Sequence, residues 1–242
     1  MVIRCNWMQG YEMLILRGLL GGLVQLMMLG AMLIVPAGLI AGAWSWPDGW
    51  RFLLIFGVMQ FFAIIAMALI VPDSLERRLQ PPVSDAQPKG DKLATVLVIA
   101  GFVVCFSAVP VSLFALDHPP IASTVRAVGG VVALIGYIFI FWTFFANSYA
   151  SPVVEDLTDE GQSVIETGPY AVVRHPMYLG LLFLCGGVSL WLGSWSFLVT
   201  LPLLVLILAN RIRIEEQELR VTLPGYEDFC AKRRFRLIPM IW

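Results

Sequence analysis

The chain has 242 residues, of which 59% are hydrophobic and only 14% charged, with a formal net charge of −1 and a mean hydropathy of +0.82. Soluble domains carry roughly 25% charged residues, so this composition excludes an ordinary soluble fold. The near-neutral charge gives no electrostatic basis for nucleic-acid binding, and none is expected.

Apolar runs long enough to cross hydrocarbon as helices, about 17 to 25 residues, recur along the chain. The first covers 14–43 and contains Pro36, which predicts a tilted, kinked or broken helix. The second covers 52–71. A polar, proline-rich loop follows over 72–92, and residues 80–91 within it suit a mobile linker. The third run, 93–116, ends at Asp117-His118-Pro119-Pro120, and the fourth covers 127–146. After a polar stretch over 147–174, the fifth (177–192) and sixth (197–209) form a tight hairpin through Gly193-Ser194-Trp195. A charged tail closes the chain.

The expected architecture is therefore all-α. It is a polytopic integral membrane bundle of about six transmembrane helices, with about four spans in 1–146 and a C-terminal module over 147–242. Trp44, Trp46, Trp50, Trp191 and Trp195 lie near run ends, as interfacial belts require. With both termini on one side, fourteen of the sixteen Lys and Arg residues fall there, leaving Arg51 and Arg126 opposite. That asymmetry predicts cytoplasmic termini, in the inner membrane if the source is bacterial. Were the first run two helices, the N-terminus would move outside and the rest would stay.

Cys5, Cys105, Cys185 and Cys230 are scattered without ligand spacing, so neither a disulfide framework nor a metal site is expected. Gln25 and Gln60 are isolated polar positions in spans, suited to holding helices together. His118 reads as a turn residue.

The polar residues with chemical potential cluster twice. The first cluster lies between Glu155 and Tyr178, and the second between Arg211 and Arg220. Gly168-Pro169 marks a turn. Pro176 suits the first turn of the fifth helix, where a missing N–H costs nothing. Arg174 and His175 then precede a helix N-terminus, whose free N–H groups and partial positive charge attract ligand lone pairs. If the sixth helix continues past the membrane, Arg211 and Glu215 share a face at i, i+4. The hairpin returns both clusters to one level, so His175, Tyr178, Arg211 and Glu215 are expected to line one cytoplasmic pocket.

The run from Gly168-Pro169-Tyr170 through Arg174-His175-Pro176-Met177-Tyr178-Leu179-Gly180, followed after one hairpin by Glu215-Glu216, resembles the isoprenylcysteine carboxyl methyltransferase family. The same combination is found in the related phospholipid N-methyltransferases. Leu223-Pro224-Gly225-Tyr226-Glu227-Asp228-Phe229 and Arg236-Leu237-Ile238-Pro239 are similar to the family's tail, so the core of the resemblance covers 161–242.

The resemblance implies S-adenosyl-L-methionine as cofactor, bound between the Arg-His-Pro and Glu-Glu segments. By position, Tyr170, Arg174, His175, Pro176, Met177 and Tyr178 would line it, with the strand-like stretch Gln162, Ser163, Val164 and Ile165. Glu215 would hold a polar group of the cofactor, with Glu216 beside it. Gln162 stands where the family often has histidine, and Phe229 where a tyrosine is common. Arg211 falls where the family has an arginine tied to the methyl acceptor.

The implied acceptor is lipophilic, because the pocket opens beside the bilayer, and a carboxylate is favoured because Arg211 can grip it with two hydrogen bonds. Arg211, His175 and Glu215 are thus the candidate catalytic residues. An amine or thiol acceptor would need a base, for which His175 or a glutamate is available. The tail also resembles membrane sterol reductases, which use NADPH, and a non-enzymatic membrane assembly protein is a further alternative.

Overall fold

The computed structural model describes residues 2–83, 89–149 and 161–242, with side chains from residue 10 onward and excluding that of Lys89. Among the described residues there are eight α-helices and no strand. The helices are α1 (Val2–Ala41), α2 (Pro47–Ile70), α3 (Pro72–Arg78), α4 (Lys89–Ala115), α5 (Ser123–Ala146), α6 (Pro176–Leu192), α7 (Phe197–Thr222) and α8 (Tyr226–Lys232). A 3-10 turn, Gly168–Ala171, lies between α5 and α6.

Proline and glycine punctuate the helices as their backbone limits dictate. Pro47, Pro72 and Pro176 each open a helix, where the lost N–H has no partner anyway. Gly193, at φ 86°, closes α6 in the left-handed conformation and starts the hairpin.

Five helices, α1, α2, α4, α5 and α7, are long and apolar enough to cross a membrane. The chain is an integral membrane protein. Its outward faces carry Leu39, Leu54, Leu69, Val199 and Leu206, each more than 65% exposed. In water such a surface would aggregate, whereas in lipid it is solvated.

Two expectations are narrowed. The first run is one continuous helix through Pro36, so of the tilted, kinked or broken forms expected the broken one does not occur. The 72–92 loop contains α3, opened by Pro72 and held where Ser74 Oγ donates to the Phe144 carbonyl at 2.8 Å. Of the linker expected over 80–91, residues 84–88 lie outside the described residues, and α4 already begins at Lys89.

The fifth expected span, α6, has 17 residues, about 26 Å at 1.5 Å per residue, which is at the short limit for crossing. It is the most enclosed helix of the bundle, with Leu179, Cys185, Val188 and Leu192 all under 6% exposed. It meets α5 along a seam of small residues. A Cβ on Gly187 would lie 2.3 Å from the Ala133 nitrogen, and one on Gly136 would lie 2.5 Å from the Leu184 nitrogen. Without a hydrophobic drive between helices in lipid, such backbone-to-backbone approach supplies the attraction.

Gln60 Nε2 donates to Gln25 Oε1 at 3.2 Å, linking α2 to α1 as expected of those two glutamines. At the opposite end of the bundle from the polar tail, Arg126 donates to Asp48 Oδ2 (2.6 Å) and to the Trp191 carbonyl (2.9 Å). Both basic residues placed on that side by sequence therefore sit near Asp48, since Arg51 also contacts its Oδ1 at 3.3 Å.

Candidate functional site

The polar residues singled out by sequence gather where α6 begins and α7 runs on beyond its apolar part. Because α7 continues as one helix to Thr222, Arg211, Glu215 and Glu216 occupy successive turns beside the start of α6. Pro176 opens α6, so His175 is its N-cap residue and Tyr178 lies in its first turn.

Two polar networks form there. The first centres on Glu216, which is 3% exposed. Its Oε1 accepts from Arg174 Nε at 2.7 Å and lies 3.2 Å from His175 Nε2, while its Oε2 accepts from Arg236 Nε at 2.9 Å. A carboxylate only accepts, so Nε2 of His175 carries a proton. Arg174 Nη1 also donates to the Arg233 carbonyl at 2.8 Å. The backbone N–H groups of Arg174 and His175 donate to the carbonyls of Phe235 and Arg236 at 3.0 and 2.9 Å. The charged tail is thereby clipped over the segment that enters α6.

The second network centres on Glu215, whose side chain is 25% exposed. Tyr178 donates its hydroxyl to Glu215 Oε2 at 2.9 Å, and His175 Nδ1 lies 3.8 Å from Oε1. The His175 and Tyr178 rings lie nearly parallel, 15° apart, with centroids at 5.8 Å. Arg211 Nε donates to the Tyr178 hydroxyl at 3.4 Å.

Arg211 is only 3% exposed and pairs with the Asp91 carboxylate on the first turn of α4. Its Nη1 also donates to the Asp91 carbonyl at 3.3 Å. It is therefore no membrane-surface anchor. His175, Tyr178, Arg211 and Glu215 do converge, and Asp91 joins them as a residue the sequence reading left in a loop. The signal was an acid directly ahead of an apolar run, at a helix N-terminus that favours negative charge.

The remaining expected residues surround this centre. Tyr170, in the 3-10 turn, accepts from Asn147 Nδ2 at 2.9 Å. Burial, with Glu215 nearby, pushes its hydroxyl up to about 12 despite that hydrogen bond and the positive charge of Arg78. Met177 is half-buried and Pro176 buried at the head of α6.

Gln162, Ser163, Val164 and Ile165 form no strand, only irregular chain. Among the described residues there is no strand for them to pair with, and side-chain contacts hold their neighbourhood instead. Val164 and Tyr170 pack with Leu223, Tyr226 and Phe229. Lys232 binds Glu166 at 2.8 Å. Phe229 is a buried member of that cluster, where a ring without a hydroxyl needs no polar partner. No group of three or more His, Cys, Asp or Glu side chains suited to a metal occurs among the described residues.

Residues 124–223 match the family model described as phospholipid methyltransferase. The matched stretch begins in α5, takes in the α5–α6 seam and both networks' residues on α6 and α7, and ends as α7 ends. Asp91, Arg233 and Arg236 lie outside it. No curated protein matches the chain.

Proposed function

Residues 124–223 match the phospholipid methyltransferase family model, and we propose that the chain is a membrane methyltransferase that uses S-adenosyl-L-methionine to methylate a lipophilic acid at the cytoplasmic face. The observation that carries the cofactor assignment is Glu215. It is a partly exposed carboxylate beside two parallel rings, with Tyr178 as its hydrogen-bond donor and further lone pairs to accept from others. That acceptor fits a cofactor bearing an ammonium, ribose hydroxyls and a sulfonium.

In this reading the two adjacent glutamates have different duties. Glu215 faces the cofactor, and Glu216 holds Arg174, His175 and Arg236, fixing the loop that leads into α6. Met177, Pro176 and Tyr178 supply the apolar wall, and Tyr170 and the 162–165 stretch close the side away from the membrane. Arg211, with its charge balanced by Asp91, orients the Tyr178 hydroxyl and through it Glu215.

The cofactor supplies a methyl group already activated by the positive sulfur. The protein's work is alignment and exclusion of water. A carboxylate acceptor is ionised at neutral pH and needs no base. Amine or thiol acceptors would need one, and His175, whose Nε2 proton faces Glu216, leaves only Nδ1 toward Glu215 for that task. An NADPH-dependent reductase is disfavoured because its phosphates would meet the Glu215 carboxylate.

Binding of S-adenosylhomocysteine and NADPH to detergent-purified protein tests the assignment. S-adenosylhomocysteine is expected to bind and NADPH not. Glu215→Gln removes a charge-assisted contact of about 1–3 kcal/mol, so its S-adenosylhomocysteine affinity should fall about tenfold while the fold persists. NADPH binding in place of S-adenosylhomocysteine, or an unaltered affinity in the variant, rejects the assignment. Arg211→Lys keeps the charge facing Asp91 but loses the arm to Tyr178. It should weaken S-adenosylhomocysteine binding by about fivefold, near 1 kcal/mol. Native affinity in the lysine variant would leave Arg211 with the ion pair to Asp91 alone.

A further inference from the structure

With Arg211 neutralised by Asp91 and Arg174 by Glu216, neither of these arginines offers an unbalanced charge to an anionic acceptor. Arg78, the last residue of α3, differs. Its Nη1 donates to the Ser74 carbonyl at 3.0 Å, and its guanidinium lies over the Phe144 ring at 3.7 Å. Its Nε and Nη2 are both buried and have no hydrogen-bond partner among the described residues.

Buried polar atoms are normally paired, and an exception signals a missing partner. A cation-π contact offsets part of the desolvation but accepts no N–H bond. Burial pushes the Arg78 guanidinium down to about 10, against the pull of Tyr170, so it remains charged at neutral pH. A topological anchor turns its charge to water, whereas this charge is turned inward.

The position also fits. Ser74 ties α3 to the end of α5, and Asn147, just beyond that end, holds Tyr170. Tyr170 in turn senses the charges of both Arg78 and Glu215. Beneath α3 lies an apolar cluster of Leu75 with Leu14, Ile15, Leu19, Phe141 and Phe145.

We propose that Arg78 is the anion subsite of the acceptor: its guanidinium receives the carboxylate or phosphate of a single-chain lipophile whose tail lies along the apolar ends of α1 and α5. Arg78 is itself only half-buried, and in this proposal its flexible side chain turns Nε and Nη2 to meet the head group. The planar fork then grips two oxygens of the head group at once. This inference rests on the methyltransferase reading, because it assigns the acceptor of that reaction.

The test is calorimetric titration of the full chain in neutral detergent, saturated with S-adenosylhomocysteine, using oleate, oleyl phosphate and oleyl alcohol as probes. At least one anion should bind about tenfold or more tightly than the alcohol, as a charge-assisted pair requires. Which anion prevails separates a carboxylate acceptor from a phosphate one. Arg78→Gln should abolish the preference and leave S-adenosylhomocysteine affinity unchanged. Equal binding of all three probes to the native chain, or a preference surviving in Arg78→Gln, overturns the subsite. Should that variant fail to fold, a fatty acid with a diazirine beside its carboxylate is applied to the native chain. Labelling within α3 or the 168–171 turn supports the subsite, and labelling elsewhere overturns it. If S-adenosylhomocysteine itself does not bind, the methyltransferase cofactor assignment fails. If it binds and anions gain no preference, only the role of Arg78 fails.

Discussion

Gly187→Ala is expected to melt well below the native protein, although it adds only one methyl group. The added Cβ would stand 2.3 Å from the Ala133 nitrogen, 2.7 Å from its Cα and 2.7 Å from the Gly129 carbonyl oxygen, all of them backbone atoms. No rotamer change relieves contacts of that kind, so α5 and α6 must separate. Overpacking of this sort costs about 1–3 kcal/mol and sometimes more. The helix gains back about 0.5–1 kcal/mol from replacing glycine by alanine. The first effect wins, for a net loss of about 1 kcal/mol or more.

Gly30→Ala is the control. Its Cβ would meet only Leu53 Cδ1, at 3.6 Å, so the propensity gain stands alone and stability should hold or rise slightly. Thermal unfolding in mild detergent measures both. Because α6 carries His175 and Tyr178, S-adenosylhomocysteine affinity should fall with stability in Gly187→Ala. A Gly187→Ala melting point at or above native would remove the α5–α6 seam as a determinant of the fold.

The spans were legible because lipid forces helices: a run of apolar residues in the membrane has no other way to satisfy its backbone. Hydropathy therefore located the helices, and Pro176 and Gly193 marked the ends of α6 within a residue. What hydropathy could not convey was pairing. Gly129, Gly136, Gly180 and Gly187 read as small residues in apolar runs, and only the meeting of α5 with α6 gives them their role. Asp91 and Arg211 are 120 residues apart, and nothing local to either marks the other as its partner. α3 escaped notice because its seven residues are mostly polar and are held by tertiary contacts such as Ser74 to Phe144. For the proposed site, the order of motifs singled out residues that the fold brings together, whereas the different surroundings of Glu215 and Glu216, on which their proposed division of labour rests, appear only in which carboxylate is enclosed by arginines.

That division predicts opposite phenotypes for two chemically identical substitutions one residue apart. Glu216 is nearly enclosed and faces Arg174, itself 6% exposed, together with His175 and Arg236. Glu216→Gln keeps the shape but leaves the Arg174 charge buried without its counter-ion. Breaking a buried pair from one side costs about 3–5 kcal/mol, a large fraction of the roughly 5–15 kcal/mol by which folded proteins are stable. The tail, held by Arg236 and by the carbonyls that Arg174 binds, should loosen, and proteolysis after residue 223 should accelerate. Glu215→Gln, with a quarter of its side chain exposed and Tyr178 still able to donate to the amide oxygen, should melt close to native and lose cofactor affinity instead.

Arg174→Met combined with Glu216→Leu separates charge from packing. Removing both members eliminates the unpaired charge, and Arg236, 33% exposed, can turn to water. The double variant should therefore be more stable than Glu216→Gln, with coupling of about 0.5–3 kcal/mol between the two sites in a full cycle of single and double changes. Melting temperature and S-adenosylhomocysteine affinity are read together for each variant. Should Glu216→Gln melt like the native chain while losing the ligand, Glu216 rather than Glu215 would be the residue that faces the cofactor, and the tail would be held by its backbone hydrogen bonds alone.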